Sequence, residues 1–459
     1  MSYVSDSARA VSSASLPGGS SSTRFGWLRT GRIGTFGVGV PKWILVTALL
    51  TLAVVLSSGR MPWVHALAGT IRPPDFAADI AGAQAIATGG HPYTPAFATQ
   101  HAQVMGVAVE EGYPFFPHPP SALLLFWPVA SLSLGTAALI WFAVSLWLLF
   151  ILARILVETA TGTYLDREQA TVRRSAVLGA FGLLLLWPPV LYNLEKGQLS
   201  ILLAVLIAMT WRSLREERLS ISGVCLGAAT AVKVFPLLLG GYLLVRAPRA
   251  LAYFVASAGI LTVGALAWMG LDALPAYLQH SSDNLSYWQT WPAVSYSIYG
   301  AAARLFIGGR WAEPILYAPA IARSLVAGIS LSLIACATIV TWRGSSSDGR
   351  EGSRFAAWAT LLVLLNPLAM GHNGVLLALP IVLLVRELVR DPRMWPRIAW
   401  GAGVVLASIP RQTLVSLAPS PVDPSLSLSV IALPMWGTLL LFGVALALAR
   451  ADASGARLA

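Results

Sequence analysis

Charged side chains are scarce. Only 11% of the residues are Asp, Glu, Lys or Arg and 56% are apolar, whereas soluble domains carry roughly 25% charge. A soluble core with a fully wetted shell is excluded, and the composition is that of a polytopic membrane protein. Cysteine is nearly absent too. Cys225 and Cys336 each lie inside an apolar run, which excludes a disulfide framework and a thiolate metal site and leaves them as helix-packing residues. There is no Gly-rich dinucleotide fingerprint, Walker lysine or Asp-x-Asp motif, so the chain calls for no nucleotide, no other cofactor and no metal. The formal net charge is +11, but the basic residues stand in small groups beside apolar runs. That is the signature of membrane topology, not of a nucleic-acid footprint.

What the sequence does have is repeated Leu/Ala/Val runs of about 16 to 25 residues, long enough to cross a bilayer as helices. They lack the alternation of a barrel strand, so helices are the expected solution. The fold class is all-α, a bundle of about 11 to 13 membrane segments. Residues 1–42 are Ser/Gly-rich and read as a disordered cytoplasmic tail. Residues 43–450 read as one transmembrane domain, and 451–459 as a second cytoplasmic tail. The first span, 43–58, follows five Lys/Arg and is directed outward as a retained helix.

Residues 59–118 then form an external loop. Its apolar residues, Ala77, Ile80, Ala81 and Ala85, then Val104, Val107 and Ala108, are spaced as two amphipathic helices lying on the membrane. A second external segment, 271–313, is rich in Trp and Tyr, which suits the headgroup level. Between them the topology conflicts with itself. Arg167, Arg173 and Arg174 ask to be cytoplasmic, yet two full crossings between 119 and 157 would put them outside; a re-entrant stretch over 121–133 resolves the conflict. A broken pair of apolar helices is expected over 221–245. All six histidines, His65, His91, His101, His118, His280 and His372, fall on the external side of this topology.

Four polar features stand out. Asp75 follows Pro73-Pro74 at a helix start, where its simplest role is a cap. Asp79, one turn later, shares its face. The stretch from Asn193 to Ser200 places Glu195, Lys196 and Gln198 at a helix start that attracts anions. Lys233 lies in an otherwise apolar stretch before Pro236 and needs an anion or a partner there. His372, with Asn366 and Asn373, sits in a short break between apolar helices.

These breaks share an order with a known family. "PDFAADIAGAQAIATGGHPYTP", "FPHPPSALLLFWPVASL", "NLEKGQLSILL", "GAATAVKVFPLLL", "SYSIYGAAARLF" and "NPLAMGHNGVLLALP" resemble the polyprenyl-phosphate-sugar-dependent glycosyltransferases of GT-C architecture, specifically glycosyltransferase family 87. The resemblance extends over about 45–390. It implies an inverting enzyme of the cytoplasmic membrane with its site on the outer face, moving a sugar, mannose first, from a polyprenyl-phosphate donor to a lipid or glycan acceptor among membrane lipids. It implies that Asp75, in the family's Asp-Phe position, is the catalytic base, and that His372 lies near it or near the donor phosphate. Contacts to donor phosphate or substrate are expected from Lys233, Lys196, Gln198, Arg304, Asp79, Tyr93, His118 and Glu195. Many members carry Ser-Pro-x-Ser-Trp-x-His-His where this chain has Asn366 to Asn373. Other readings are an arabinofuranosyltransferase or other hexosyltransferase of the same family, and a lipid or solute transporter, which would put ionisable positions at the membrane midplane.

Overall fold

The structure is a computed structural model and describes residues 41–56, 73–94, 97, 118–161, 170–288, 296–345 and 349–450. Residues 1–40 of the expected tail, the second amphipathic helix, His65, His101, Arg167 and the tail 451–459 lie outside them.

In chain order the helices are α1 (Lys42–Leu56), α2 (Pro74–Ala87), α3 (Leu134–Thr161), α4 (Ala170–Leu186), α5 (Pro188–Lys196) and α6 (Ser200–Arg215). There follow α7 (Leu219–Val232), α8 (Leu239–Arg246), α9 (Pro248–Met269), α10 (Ala273–Trp288), α11 (Ile298–Phe306) and α12 (Pro319–Arg343). The last are α13 (Glu351–Leu364), α14 (Ala378–Leu388), α15 (Met394–Ala407), α16 (Arg411–Leu417) and α17 (Leu433–Arg450). Among the described residues five segments are long and apolar enough to cross a membrane: α3, α9, α12, Gly371–Leu388 and α17. Two bent pairs, α4 with α5 at 68° and α15 with α16 at 80°, raise the number to seven. Both bends coincide with prolines, Pro188-Pro189 and Pro410, where the helical hydrogen-bond ladder is interrupted. The other apolar segments seen in the sequence are shorter helices packed among these.

α13 is buried along its whole length and packs against α12, α14 and α17 at the centre of the bundle. α9 and α12 sit outside, with large apolar side chains such as Ile260, Val263, Ile329 and Leu331 exposed, as lipid-facing helices require.

Two topological questions are answered by packing. Between His118 and Leu134 the chain makes only short 3-10 turns, Pro120–Leu125 and Trp127–Val129. At about 2 Å rise per residue the longer turn spans roughly 12 Å, too little for a crossing. One crossing by α3 therefore separates His118 from Arg173, and the charge conflict disappears. The expected broken pair over 221–245 is a hairpin. A Cβ on Gly223 would lie 2.3 Å from the Ala250 carbonyl and one on Gly227 2.7 Å from that of Phe254, so α7 and α9 run parallel with backbones in contact. α8 must then bring the chain back, and Lys233 sits at the turn.

Candidate active site

Pro74 opens α2 in the first turn, where a missing N–H costs nothing. Asp75 follows it, close to the positive end of the helix. The expected cap is not made: the N-cap residue is Pro73, without a side-chain cap hydrogen bond. Nor does α2 present the one wet face of a surface helix. Phe76, Ala77, Ala78, Asp79, Ile80, Ala81, Ala83 and Ala85 are all buried, and Phe76 is held by the rings of Phe126 and Trp141.

The turn after α5 fixes what Asp75 meets. Glu195 and Lys196 end α5 rather than starting a helix, so Lys196 complements the negative end of the helix dipole. Gly197 takes φ +68°, and a Cβ there would stand 2.6 Å from the Cβ of Phe76; this close approach requires glycine. The Trp141 indole N–H donates to the Gly197 carbonyl at 2.9 Å, and the Gln198 N–H to the Asn193 carbonyl at 3.0 Å. Pressed against α2 in this way, Gln198 donates from Nε2 to Asp75 Oδ2 at 2.6 Å and accepts at Oε1 from Lys233 Nζ at 2.8 Å. Three residues far apart in sequence form one chain of hydrogen bonds.

Beside it, Asp79 Oδ1 faces His118 Nε2 at 3.4 Å, with both side chains buried. The Tyr93 hydroxyl donates to the His118 carbonyl at 2.7 Å, and Ser121 Oγ to the Ala231 carbonyl at 2.5 Å, tying the 3-10 turn to the end of α7. His372 is buried in the 3-10 turn Gly371–Leu377 and stacks on Tyr192 with ring centroids 5.9 Å apart. Its Nδ1 and Asn373 Nδ2 are buried without a hydrogen-bond partner among the described residues. Lys233, His118 and Lys196 are within electrostatic reach of His372.

Of the residues singled out in the sequence, Asp75, Asp79, His118, Lys233, Gln198, Tyr93 and His372 are thus brought together. Lys196 lies at the rim, 3.3 Å from Glu195 and over the Tyr192 ring. Arg304 is elsewhere: it is fully buried in α11 and donates from Nε to Ser427 Oγ at 2.7 Å. Tyr192 and Arg411 did not stand out in the sequence. With Glu195, Tyr296 and Gly371 they line a cavity of about 30 Å³ where the two bent helix pairs meet, room for about one water. Arg411 lies beside a proline, Pro410, as Lys233 lies near Pro236, a signal that its isolation from other cations could have strengthened.

Burial pushes the Asp75 carboxyl up, while the Gln198 hydrogen bond and the charges of Lys196 and Lys233 pull it down. Burial drives Asp79 well above the usual carboxylate range. His118 is driven well below the usual imidazole range by burial and then by Lys233. Asp79 and His118 thus both favour their neutral forms, and Asp75 has a donated hydrogen bond that supports its charged one. Among the described residues no group of three or more His, Cys, Asp or Glu side chains could hold a metal.

A carboxylate beside cationic and amide donors at one end of a helical bundle suits group transfer, and comparison with known proteins decides which. Residues 116–335 match the model of Glycosyltransferase family 87. The chain is also 24% identical over 369 residues, 77% of its length and 76% of the relative's, to the polyprenol-phosphate-mannose-dependent alpha-(1-2)-phosphatidylinositol pentamannoside mannosyltransferase of Mycobacterium tuberculosis (strain CDC 1551 / Oshkosh). The chain is a glycosyltransferase, similar to family 87 over that segment. The segment matched by the family model holds His118, Lys196, Gln198 and Lys233 and leaves Asp75, Asp79 and His372 outside it. In this glycosyltransferase the matched and unmatched parts meet at the contact of Gln198 with Asp75.

Proposed function

We propose that this glycosyltransferase moves mannose from a polyprenyl-phosphate donor to a hydroxyl of a lipid or glycan acceptor, with inversion, at the outer face of the cytoplasmic membrane. The curated relative is named for a polyprenol-phosphate-mannose donor, and a sugar on a lipid phosphate needs no nucleotide to activate it. The acceptor oxygen attacks the anomeric carbon, the carbon–oxygen bond to phosphate breaks, and polyprenyl phosphate leaves with the electron pair. The acceptor's proton goes to Asp75.

The observation carrying this reading is the state of the Asp75 carboxylate. Oδ2 is anchored by Gln198, Oδ1 accepts no hydrogen bond from the described residues, and the side chain is half-buried rather than sealed. One oxygen is held and the other is open to a substrate hydroxyl. Lys233 and His372, with its uncommitted Nδ1, are the proposed contacts for the departing phosphate. Asp79 and His118 shape the floor of the site, and Arg304 is left out of it.

Purified protein, given labelled polyprenyl-phosphate-mannose and a panel of lipid acceptors, should form a mannolipid of inverted anomeric configuration. Asp75→Asn should fold normally and lose about 10²- to 10⁴-fold in kcat, the usual contribution of a general base. His372→Ala should raise KM for the donor, lower kcat or do both. Wild-type rates in Asp75→Asn would end the assignment of the base.

A further inference from the structure

Gln198 was expected to touch substrate, but both ends of its amide are already engaged within the protein. We propose that Gln198 is a positioning residue that relays the positive charge of Lys233 to Asp75 through its amide, keeping the base ionised and one of its oxygens fixed. The inference rests on the reading of Asp75 as the base.

The chemistry of the three groups sets the sense of the relay. An ammonium can only donate and an ionised carboxylate can only accept. An amide between them has one satisfactory orientation, oxygen toward Lys233 and nitrogen toward Asp75. The reverse would set N–H against N–H and oxygen against oxygen. The observed contacts, 2.8 Å from Lys233 Nζ to Oε1 and 2.6 Å from Nε2 to Asp75 Oδ2, have this orientation. An ammonium bonded to the amide oxygen draws electron density from the nitrogen, making its N–H a stronger donor, as in other polarised hydrogen-bond chains. The backbone supports the alignment at each station: Gln198 follows the Gly197 turn locked by Trp141 and Asn193, and Lys233 follows the end of α7, to which Ser121 is bound.

The relay answers a specific need. Asp75 is pushed toward its protonated form by burial and by the negative charge of Glu195. Asp79 lies one turn away, and His118 beyond it favours neutrality and supplies no charge. Lys196 assists but is shared with Glu195 at the rim, and Tyr192 on the same helix is a neutral neighbour of Asp75. Lys233 is the cation with a continuous hydrogen-bonded route to the carboxylate among the described residues.

The test is the pH dependence of kcat in purified wild type and in Gln198→Leu, Lys233→Met and the double variant, with Asp75→Asn as control. Each substitution that breaks the relay should move the acid limb of the profile to higher pH. For Gln198→Leu the move should be about one to two pH units, the effect of losing one hydrogen bond to a charged group, with KM for the donor unchanged. The double variant should move no further than Gln198→Leu, because Lys233 acts through the amide. An unmoved acid limb in Gln198→Leu with a raised donor KM would make Gln198 a substrate contact and overturn the relay. Additive shifts in the double variant would also overturn it, by showing that Lys233 acts on Asp75 directly. If Gln198→Leu does not fold, Gln198→Met takes its place, alone and combined with Lys233→Met, and is read in the same way. An active Asp75→Asn would refute the base itself, whereas an inactive Asp75→Asn with unmoved acid limbs would refute only the relay.

Discussion

Asp75 and Asp79 are one helical turn apart and are set to different states. Asp75 receives a charged hydrogen-bond chain, while Asp79 lies buried against a histidine that also favours neutrality. The proposed base must be deprotonated to act, and burial raises Asp75. The rate of transfer should therefore fall as pH drops through a value above the ordinary carboxylate range of about 3.9, as a kcat profile with saturating substrates will show. Asn is close in shape to a protonated Asp, so Asp79→Asn should cost far less activity than Asp75→Asn and leave the melting temperature nearly unchanged. At this scale the sequence was informative where a charge broke an apolar pattern, as at Asp75 and Lys233. It misled at Arg304, chosen for its charge alone, and it passed over Tyr192 and Arg411, whose meeting depends on two helices bending toward each other.

Turns, more than helices, decide the geometry of the site. Gly197 and Gly89 both have positive φ, +68° and +77°, but a Cβ on Gly197 would collide with Phe76 and Pro73 while one on Gly89 would meet nothing within 4 Å. Gly89→Ala should then cost about 1 kcal/mol, the ordinary penalty of the left-handed region. Gly197→Ala carries the same penalty and must also push α2 away from Gln198. It should lower the melting temperature more and depress kcat by lengthening the contact with Asp75; equal effects of the two substitutions on thermal melting and transfer rate would refute this. The apolar runs made the helices legible in the sequence. The route of the chain between them was less so, because a proline such as Pro236 marks a break without saying whether the chain continues or returns. The return is set by Gly223 and Gly227, which let α7 and α9 touch.

Across the whole molecule, the proposed site and the largest ionic clusters occupy opposite ends. Glu158, nearly buried near the end of α3, meets Arg154, Arg173 and Arg212 from α3, α4 and α6. Glu351 similarly receives Arg246 at 3.2 Å and Arg354 at 3.1 Å. Glu158 is buried but its arginine partners are a third or more exposed, so each pair is worth about 1 kcal/mol or less. Glu158→Gln should therefore lower thermal stability modestly while the folded protein keeps its kcat and its pH profile. The sequence expects histidines on one side and arginine-bearing breaks on the other, because charge patterns along the chain follow sidedness. What joins the two ends is α3. Trp141 grips the turn beside Asp75 and Glu158 grips the arginines seventeen residues further on, a distance of roughly 26 Å at 1.5 Å per residue. Two polar anchors on one stiff rod make the protein a gauge of its bilayer: where the lipid is thinner or thicker, the bundle must tilt or the membrane must deform. Acyl-chain length thereby becomes a control on how deeply the proposed donor's headgroup would sit relative to Asp75.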